Sequence, residues 1–202
     1  MGETSATVVG TVFEVSYEKA EVRLEVREGK VRLRRGNNSL LVPAGYFATA
    51  GPRQPLRLHA IDRQDAPAIA GDGNQAYFSL VSAASARPVA HGERLPENTR
   101  IPLAQLPHGP LNILYHPPAA LAGKIEYVNF RVAGPEELVT TEENAPYAVF
   151  GNPPAAAKHK TSLVLNPWRP QRGRYTIQVT PWIRDKGRII RGPSRRIQLI
   201  FE

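Results

Sequence analysis

The chain has 202 residues and a formal net charge of +8, from 26 lysines and arginines against 18 aspartates and glutamates. A hydrophobic content of 42% is enough for a real core, whereas 19 prolines and 16 glycines argue against long helices. The absence of cysteine excludes disulfides, thiol chemistry and zinc–thiolate sites.

The sequence contains no apolar run near the roughly 18 residues that a membrane-spanning helix needs. Its N-terminus, MGETSATVV, lacks the charged and then apolar layout of a signal peptide. We therefore expect a soluble chain with neither an export signal nor a transmembrane segment within it.

The strongest pattern in the sequence is the alternation of apolar and charged residues in Glu21–Val42. One side of this stretch carries only apolar residues while arginines and glutamates occupy the other, which is the period of two expected for a half-buried antiparallel sheet. The pattern predicts an all-β fold. The apolar positions are Val22, Leu24, Val26, Val31 and Leu33.

Short strands separated by glycine-containing turns fill the first sixty residues. A hairpin is expected around Glu28-Gly29, where glycine can adopt the positive φ of a tight turn. Gly10 is a candidate bulge in the first strand. The predicted strands are Thr7–Val15, Glu21–Arg27, Lys30–Arg35, Leu40–Val42, Tyr46–Ala50 and Leu56–Ala60.

After a stretch rich in proline, glycine and charge, the β rhythm resumes at Ala76 and fits an antiparallel sandwich of about seven strands. We predict a β domain over residues 1–65, a linker over 66–75 and a sandwich domain over 76–202. The second set of predicted strands is Tyr77–Ala83, Arg100–Leu103, Leu111–Tyr115, Lys124–Val132, Tyr147–Phe150, Gly173–Pro181 and Arg195–Phe201.

Residues 5–51 resemble the C-terminal half of the FecR domain. The matching elements, in order, are the strand GTVFEV, the segment VRLEVREGKVRLRR and the strand LLVPAGYFATA. The upstream strands of that family are missing here, so we expect an excised or shortened domain. FecR-type domains lie outside bacterial inner membranes, so the resemblance implies a periplasmic or extracellular setting, protein–protein contact and no enzyme activity.

Residues 76–202 resemble an immunoglobulin-like sandwich of large secreted bacterial proteins. The stretches TEENAPYA and GRYTIQVTPW carry most of the similarity, together with YFSLV, LNI and NPW. The resemblance implies a fold more than a function, because that architecture serves many activities.

No catalytic or metal-binding motif stands out. The five histidines are widely separated, and no serine lies in a nucleophile turn of the GxSxG type. Acidic residues and asparagines near Asp62, Asp72 and Glu142 could supply oxygen ligands to calcium, but turns commonly use such residues for backbone hydrogen bonds. We therefore expect a protein that is no enzyme and needs no metal or cofactor.

Two tryptophans and a basic cluster are the candidate ligand-binding features. Exposed indoles stack on sugar rings or cations, whereas buried ones anchor a core, and the sequence favours core anchoring without excluding the other role. Trp182 borders the basic run that begins at Arg184 and Lys186, so these three form the first candidate ligand face. Trp168 and Tyr147 complete the set. The basic cluster is Arg184, Lys186, Arg188, Arg191, Arg195 and Arg196.

Taken together, the sequence predicts a non-catalytic interaction or structural module at or outside a bacterial membrane. The expected partner is a protein, with self-association through free sheet edges as one form of contact. The alternative is a carbohydrate-binding module of a secreted protein, with polysaccharide as the partner. Nucleic acid is disfavoured, because aromatic and basic residues do not interleave on any strand and the basic residues alternate with acids.

Overall fold

The computed structural model describes residues 4–8, 11–18, 21–51, 56–61, 76–121, 123–153 and 164–202. The protein is all-β, as its sequence predicts. Among the described residues, helical structure is confined to two 3₁₀ turns, Leu103–Gln105 and Ala119–Leu121. The strands are β1 (Thr4–Val8), β2 (Val12–Glu18), β3 (Glu21–Glu28), β4 (Lys30–Arg35), β5 (Asn38–Pro43), β6 (Tyr46–Ala50), β7 (Arg57–Ala60), β8 (Tyr77–Ser82), β9 (Thr99–Ile101), β10 (Leu111–His116), β11 (Ile125–Ala133), β12 (Leu138–Glu142), β13 (Tyr147–Ala148), β14 (Gly173–Asp185), β15 (Arg188–Arg191) and β16 (Arg195–Phe201).

The chain forms two compact units. The first consists of Met1–Pro67 with Leu138–Thr141, and the second of Ala68–Glu137 with Glu142–Glu202. The predicted linker over residues 66–75 and the predicted bulge at Gly10 lie outside the described residues.

The sequence did not predict that Leu138–Thr141 belongs to the first unit. The Val139 N–H donates to Asn38 Oδ1 at 2.8 Å, and the Leu41 N–H donates to Thr141 Oγ1 at 3.1 Å. These contacts join residues about a hundred positions apart, and a local sequence pattern carries no information about such a pairing.

The first unit contains a three-stranded sheet, β1-β4-β5, and a four-stranded sheet, β2-β3-β6-β7. The chain changes sheets between β3 and β4 and returns between β5 and β6. In both sheets the same two stretches of chain pair with each other, β3 with β6 and β4 with β5. Glu21–Ala50 is therefore one long hairpin, bent in the middle, and we call it the folded hairpin.

Gly29 makes the bend possible. It has a φ of 76°, and its carbonyl accepts the Ala44 N–H at 2.9 Å from the matching corner of the other arm. The pairing register moves by one residue across this corner, from Val26↔Tyr46 to Lys30↔Pro43. The predicted hairpin around Glu28-Gly29 is therefore wrong: those residues form a corner, and the tip of the hairpin lies at Gly36-Asn37.

The one-residue shift at the corner keeps the apolar side facing inward. Leu24 and Val26 are even-numbered while Val31 and Leu33 are odd-numbered, yet all four are essentially inaccessible to solvent. Without an extra residue the second half of the arm would present its arginines to the core, because successive side chains of a strand alternate between faces. The core of this unit consists of Leu24, Val26, Val31, Leu33, Leu40, Val42, Ala48, Ala50, Leu56 and Val139.

The second unit is a β-sandwich-like pair of sheets. One sheet has the order β13-β10-β8, and the other includes β11, β14, β16 and β9 in that order, with β15 also paired to β14. The rings of Tyr175 and Phe201 each meet Trp168 edge to face at 5.5 Å, and Phe150 stacks on the same indole at 4.2 Å. This aromatic cluster forms much of the core of the unit.

The basic run from Arg184 to Arg191 forms a hairpin. Strand β14 continues to Asp185, and β15 pairs back onto it from Arg188. The two-residue turn between them, Lys186-Gly187, has φ angles of 46° and 81°, as a turn with two left-handed residues requires. Gly187 is the second residue of this turn.

Replacing Gly29 by alanine should destabilise the first unit by about 1 to 2 kcal/mol, because a side chain in the left-handed region crowds the following carbonyl. The control is Gly109→Ala, whose added Cβ would meet nothing within 4 Å and whose φ is not positive. Its expected effect is within about 0.5 kcal/mol. Scanning calorimetry measures both variants. Equal stability of the two would contradict the role given to Gly29.

Candidate interaction surface

Strand β2 carries the densest group of exposed apolar side chains. Val12, Phe13, Val15 and Tyr17 are 51%, 37%, 53% and 71% exposed, and they are four of the six large hydrophobic residues that are exposed in the described part of the chain. Scattered single exposures are normal, whereas four on one strand mark a surface where something binds.

The register explains why these side chains are apolar. Phe13, Val15 and Tyr17 lie opposite Val26, Leu24 and Val22, on the face of the sheet that forms the core. Leu24 and Val26 are fully buried, so β2 extends the core face of its sheet into solvent. We call Phe13, Val15 and Tyr17 the open-edge stripe.

The backbone of β2 is also available for pairing. The strand is the terminal member of its sheet, and among the described strands only β3 pairs with it. Natural proteins protect such edges with inward charges, prolines or covering loops. Phe13, Val15 and Tyr17 include neither a charge nor a proline, although the pairing of β2 with β3 is irregular between Val12 and Phe13.

The other edge strands that the structure describes are shorter than β2, and a loop covers one of them. A loop hydrogen-bonds along β8, with the Leu80 N–H donating to the Gly92 carbonyl at 2.8 Å and the Leu95 N–H to the Phe78 carbonyl at 2.8 Å. Strands β9 and β13 have only three and two residues. With seven residues, β2 is the longest edge strand that the structure describes.

The opposite face of the same sheet is charged and solvated. Arg27 lies 3.2 Å from Glu14, and Arg23 lies 3.3 Å from Glu25 while its guanidinium covers the Phe47 ring at 3.5 Å. Exposed ion pairs of this kind contribute about 0 to 1 kcal/mol each. On this face the Phe47 ring is covered by Arg23, whereas the open-edge stripe on the other face is exposed.

The two tryptophans predicted as ligand residues are core residues. Trp182 is 1% exposed and stacks on Tyr127 at 5.6 Å between ring centroids. Trp168 is 5% exposed, and its Nε1–H donates to Glu136. Neither indole presents a face to a sugar ring, so the hypothesis that the tryptophans stack on sugars is wrong. Both tryptophans instead anchor the core, which is the role that the sequence favoured.

The other three predicted ligand residues do not form a common binding face with the tryptophans. Arg184 is exposed and bonds to the Glu126 carboxylate, which raises the pKa of the guanidinium. Lys186 is exposed in the turn between β14 and β15. Tyr147 lies on β13 opposite Tyr115, and partial burial raises the pKa of its phenol.

One polar pair that the sequence analysis missed links β8 and β10. Ser79 Oγ and His116 Nε2 are 2.8 Å apart, and the imidazole stacks on Tyr77 with 4.3 Å between ring centroids. A serine bonded to a histidine is the start of a nucleophilic site. Ser79, however, is 1% exposed, so no substrate reaches its hydroxyl in this structure. The pair joins β8 to β10, and its members lie too far apart in sequence to be found from their spacing.

In the part of the chain that the structure describes, no three histidine, aspartate or glutamate side chains are grouped so that they could hold a metal ion. Asp62, Asp65, Asp72 and Asn74, named as calcium candidates, lie outside that part. Glu142 uses its carboxylate on the backbone and side chain of Asn152, which is a loop-ordering role.

No protein-family model, curated protein or solved structure gives a significant match to this chain. Within the described residues, no helix has the length and apolar character that crossing a membrane requires.

The His116 environment predicts a pH dependence of stability. Burial lowers the pKa of His116 from 6.5 because it disfavours the charged imidazolium, so just below this pH the unfolded chain binds a proton that the folded protein does not. The contribution of the neutral His116 imidazole to the free energy of unfolding should be complete above about pH 6.5. It should decline as the pH falls, until the pH has passed the pKa of His116 in the folded protein.

Urea unfolding followed by tryptophan fluorescence measures this dependence, since both tryptophans lie in the second unit. His116→Gln should remove the decline, whereas His108→Gln, at an exposed position, should retain it. A decline of the same size in the His116 variant would show that another group is responsible.

Proposed function

We propose that this protein is a non-catalytic interaction module that binds a protein partner along the open edge of β2. The observation that carries the proposal is that the same seven residues present the open-edge stripe and a strand edge with which no other described strand pairs. An added strand would gain main-chain hydrogen bonds to β2, and side chains on its inner face would cover Phe13, Val15 and Tyr17. Strand edge and apolar stripe are the two elements of recognition by β-augmentation.

A second copy of the chain fits this edge. When two β2 strands pair antiparallel about a two-fold axis at Val15, Phe13 of each lies opposite Tyr17 of the other, and Glu14 lies opposite Ser16. Centring the axis on Glu14 would place two carboxylates opposite each other, which is unfavourable. The charge pattern of the strand therefore selects a register in which the apolar stripes of both copies meet.

We place this module in the periplasm or at the cell surface of a bacterium. The support is the resemblance of residues 5–51 to FecR-type domains and of residues 76–202 to immunoglobulin-like sandwiches. Recovery of the native protein in the cytoplasmic fraction of its source cells would contradict this setting.

A charged side chain in the middle of the stripe should prevent assembly. Val15→Lys should weaken self-association at least tenfold, because it removes about 1.5 to 2 kcal/mol of apolar burial per strand and brings like charges together at the axis. The monomer fold should be preserved, since Val15 is about half exposed. Size-exclusion chromatography with light scattering, run from low micromolar to near-millimolar protein, measures the effect.

The matched control is Gln178→Lys, which adds the same charge at an exposed strand position of the second unit. It should assemble like the wild type. A wild-type protein that stays monomeric over the whole concentration range would overturn self-assembly, and equal association of the two variants would overturn the assignment to β2.

A further inference from the structure

The outward face of β11, β14 and β16 carries a row of exposed polar residues. Arg131 pairs in register with Gln178, and Gln178 pairs in register with Arg196. All three side chains are exposed, while the alternate residues Val179 and Ile197 face the core. Two arginines thus flank one glutamine across three strands.

The two neighbouring rows on this face differ in composition. Thr176 and Gln198 form the next row, and the row beyond it contains Arg174, Ile200 and Arg100, the last contributed by the parallel strand β9. Two strand spacings separate Arg131 from Arg196, so their Cα atoms are about 10 Å apart. We call Arg131, Arg196, Arg174 and Arg100 the arginine face.

The arginine face has an excess of positive charge. Arg100 bonds to the Glu202 carboxylate at 3.0 Å. No carboxylate of the described residues lies within 4.0 Å of the guanidinium of Arg131, Arg174 or Arg196. Part of the +8 charge of the chain is therefore concentrated on one flat surface, which attracts polyanions over long range.

We propose that the arginine face binds an acidic polysaccharide, a chain bearing carboxylate or sulfate groups. A guanidinium recognises either group with two parallel hydrogen bonds. The hydroxyl of Thr176 and the amides of Gln178 and Gln198 lie between the arginines and can bond to sugar hydroxyls. Alternating cationic and neutral polar positions match a polymer that alternates acidic groups with hydroxyls.

The same face is poorly suited to the other polyanions. Single-stranded nucleic acid needs exposed rings on which bases stack, whereas the aromatic rings of β11, β14 and β16 are buried in the core. A membrane-surface site needs exposed apolar or aromatic side chains for insertion. None of the large hydrophobic residues that the structure shows as exposed lies on these strands.

The test measures binding of heparin and of polygalacturonate to the full chain by isothermal titration calorimetry at several salt concentrations. At least one of these probes should bind, with an affinity that falls steeply as salt rises. Arg131→Gln/Arg196→Gln should bind about tenfold more weakly and with a shallower salt dependence. The Arg→Lys double variant should retain more affinity than the glutamine pair, because it keeps the charge but loses the paired hydrogen bonds.

The control is Arg34→Gln/Arg87→Gln, which removes the same charge from exposed positions on β4 and on a loop of the second unit. It should stay within about twofold of wild type, since distant charges are largely screened. Circular dichroism confirms folding of each variant. Val15→Lys should leave binding unchanged, which separates this inference from the proposed role of β2.

Three outcomes would overturn the inference: no binding of either polysaccharide at low salt, equal affinity of the two double-glutamine variants, or tighter binding of oligo(dT) or of phosphatidylglycerol vesicles than of both polysaccharides at the same salt.

Discussion

The corner at Gly29 is the constraint on which the first unit depends. An extra residue in the left-handed conformation lets one arm of the folded hairpin pass from one sheet to the other. The same residue shifts the alternation of side chains by one position, so the apolar side of the arm faces inward on both sides of the bend. The Gly29 carbonyl ties this corner to Ala44 on the other arm. A single hairpin thereby encloses most of a hydrophobic core.

Burial in this unit ends at β2. The folded hairpin covers its own apolar face, whereas β2 carries the same period of two onto a strand that has one neighbour among the described strands. The sequence of β2 therefore has the pattern of a half-buried strand, although its apolar side chains are exposed. An apolar pattern on an uncovered strand therefore indicates a binding surface, and here it is the physical basis of the proposed interaction.

The sequence predicted the all-β fold and most strand positions because alternation is a local property. It misplaced the hairpin at Gly29 because a glycine with positive φ serves a tight turn and a sheet-changing corner equally well. The exposure of Val15 and the burial of Trp182 are set by which strands cover them, and that depends on distant pairings. Register also explains why the arginine face was missed: Arg131 and Arg196 become neighbours only through Gln178.

The most direct test of the open edge is residue-resolved hydrogen exchange of β2 at low and high protein concentration. The account predicts that amides of β2 that do not bond to β3 exchange rapidly in dilute protein and become protected as concentration rises, while amides of β3 are unaffected. Equal protection of β2 at all concentrations, without added partner, would contradict the proposal that a second copy occupies this edge.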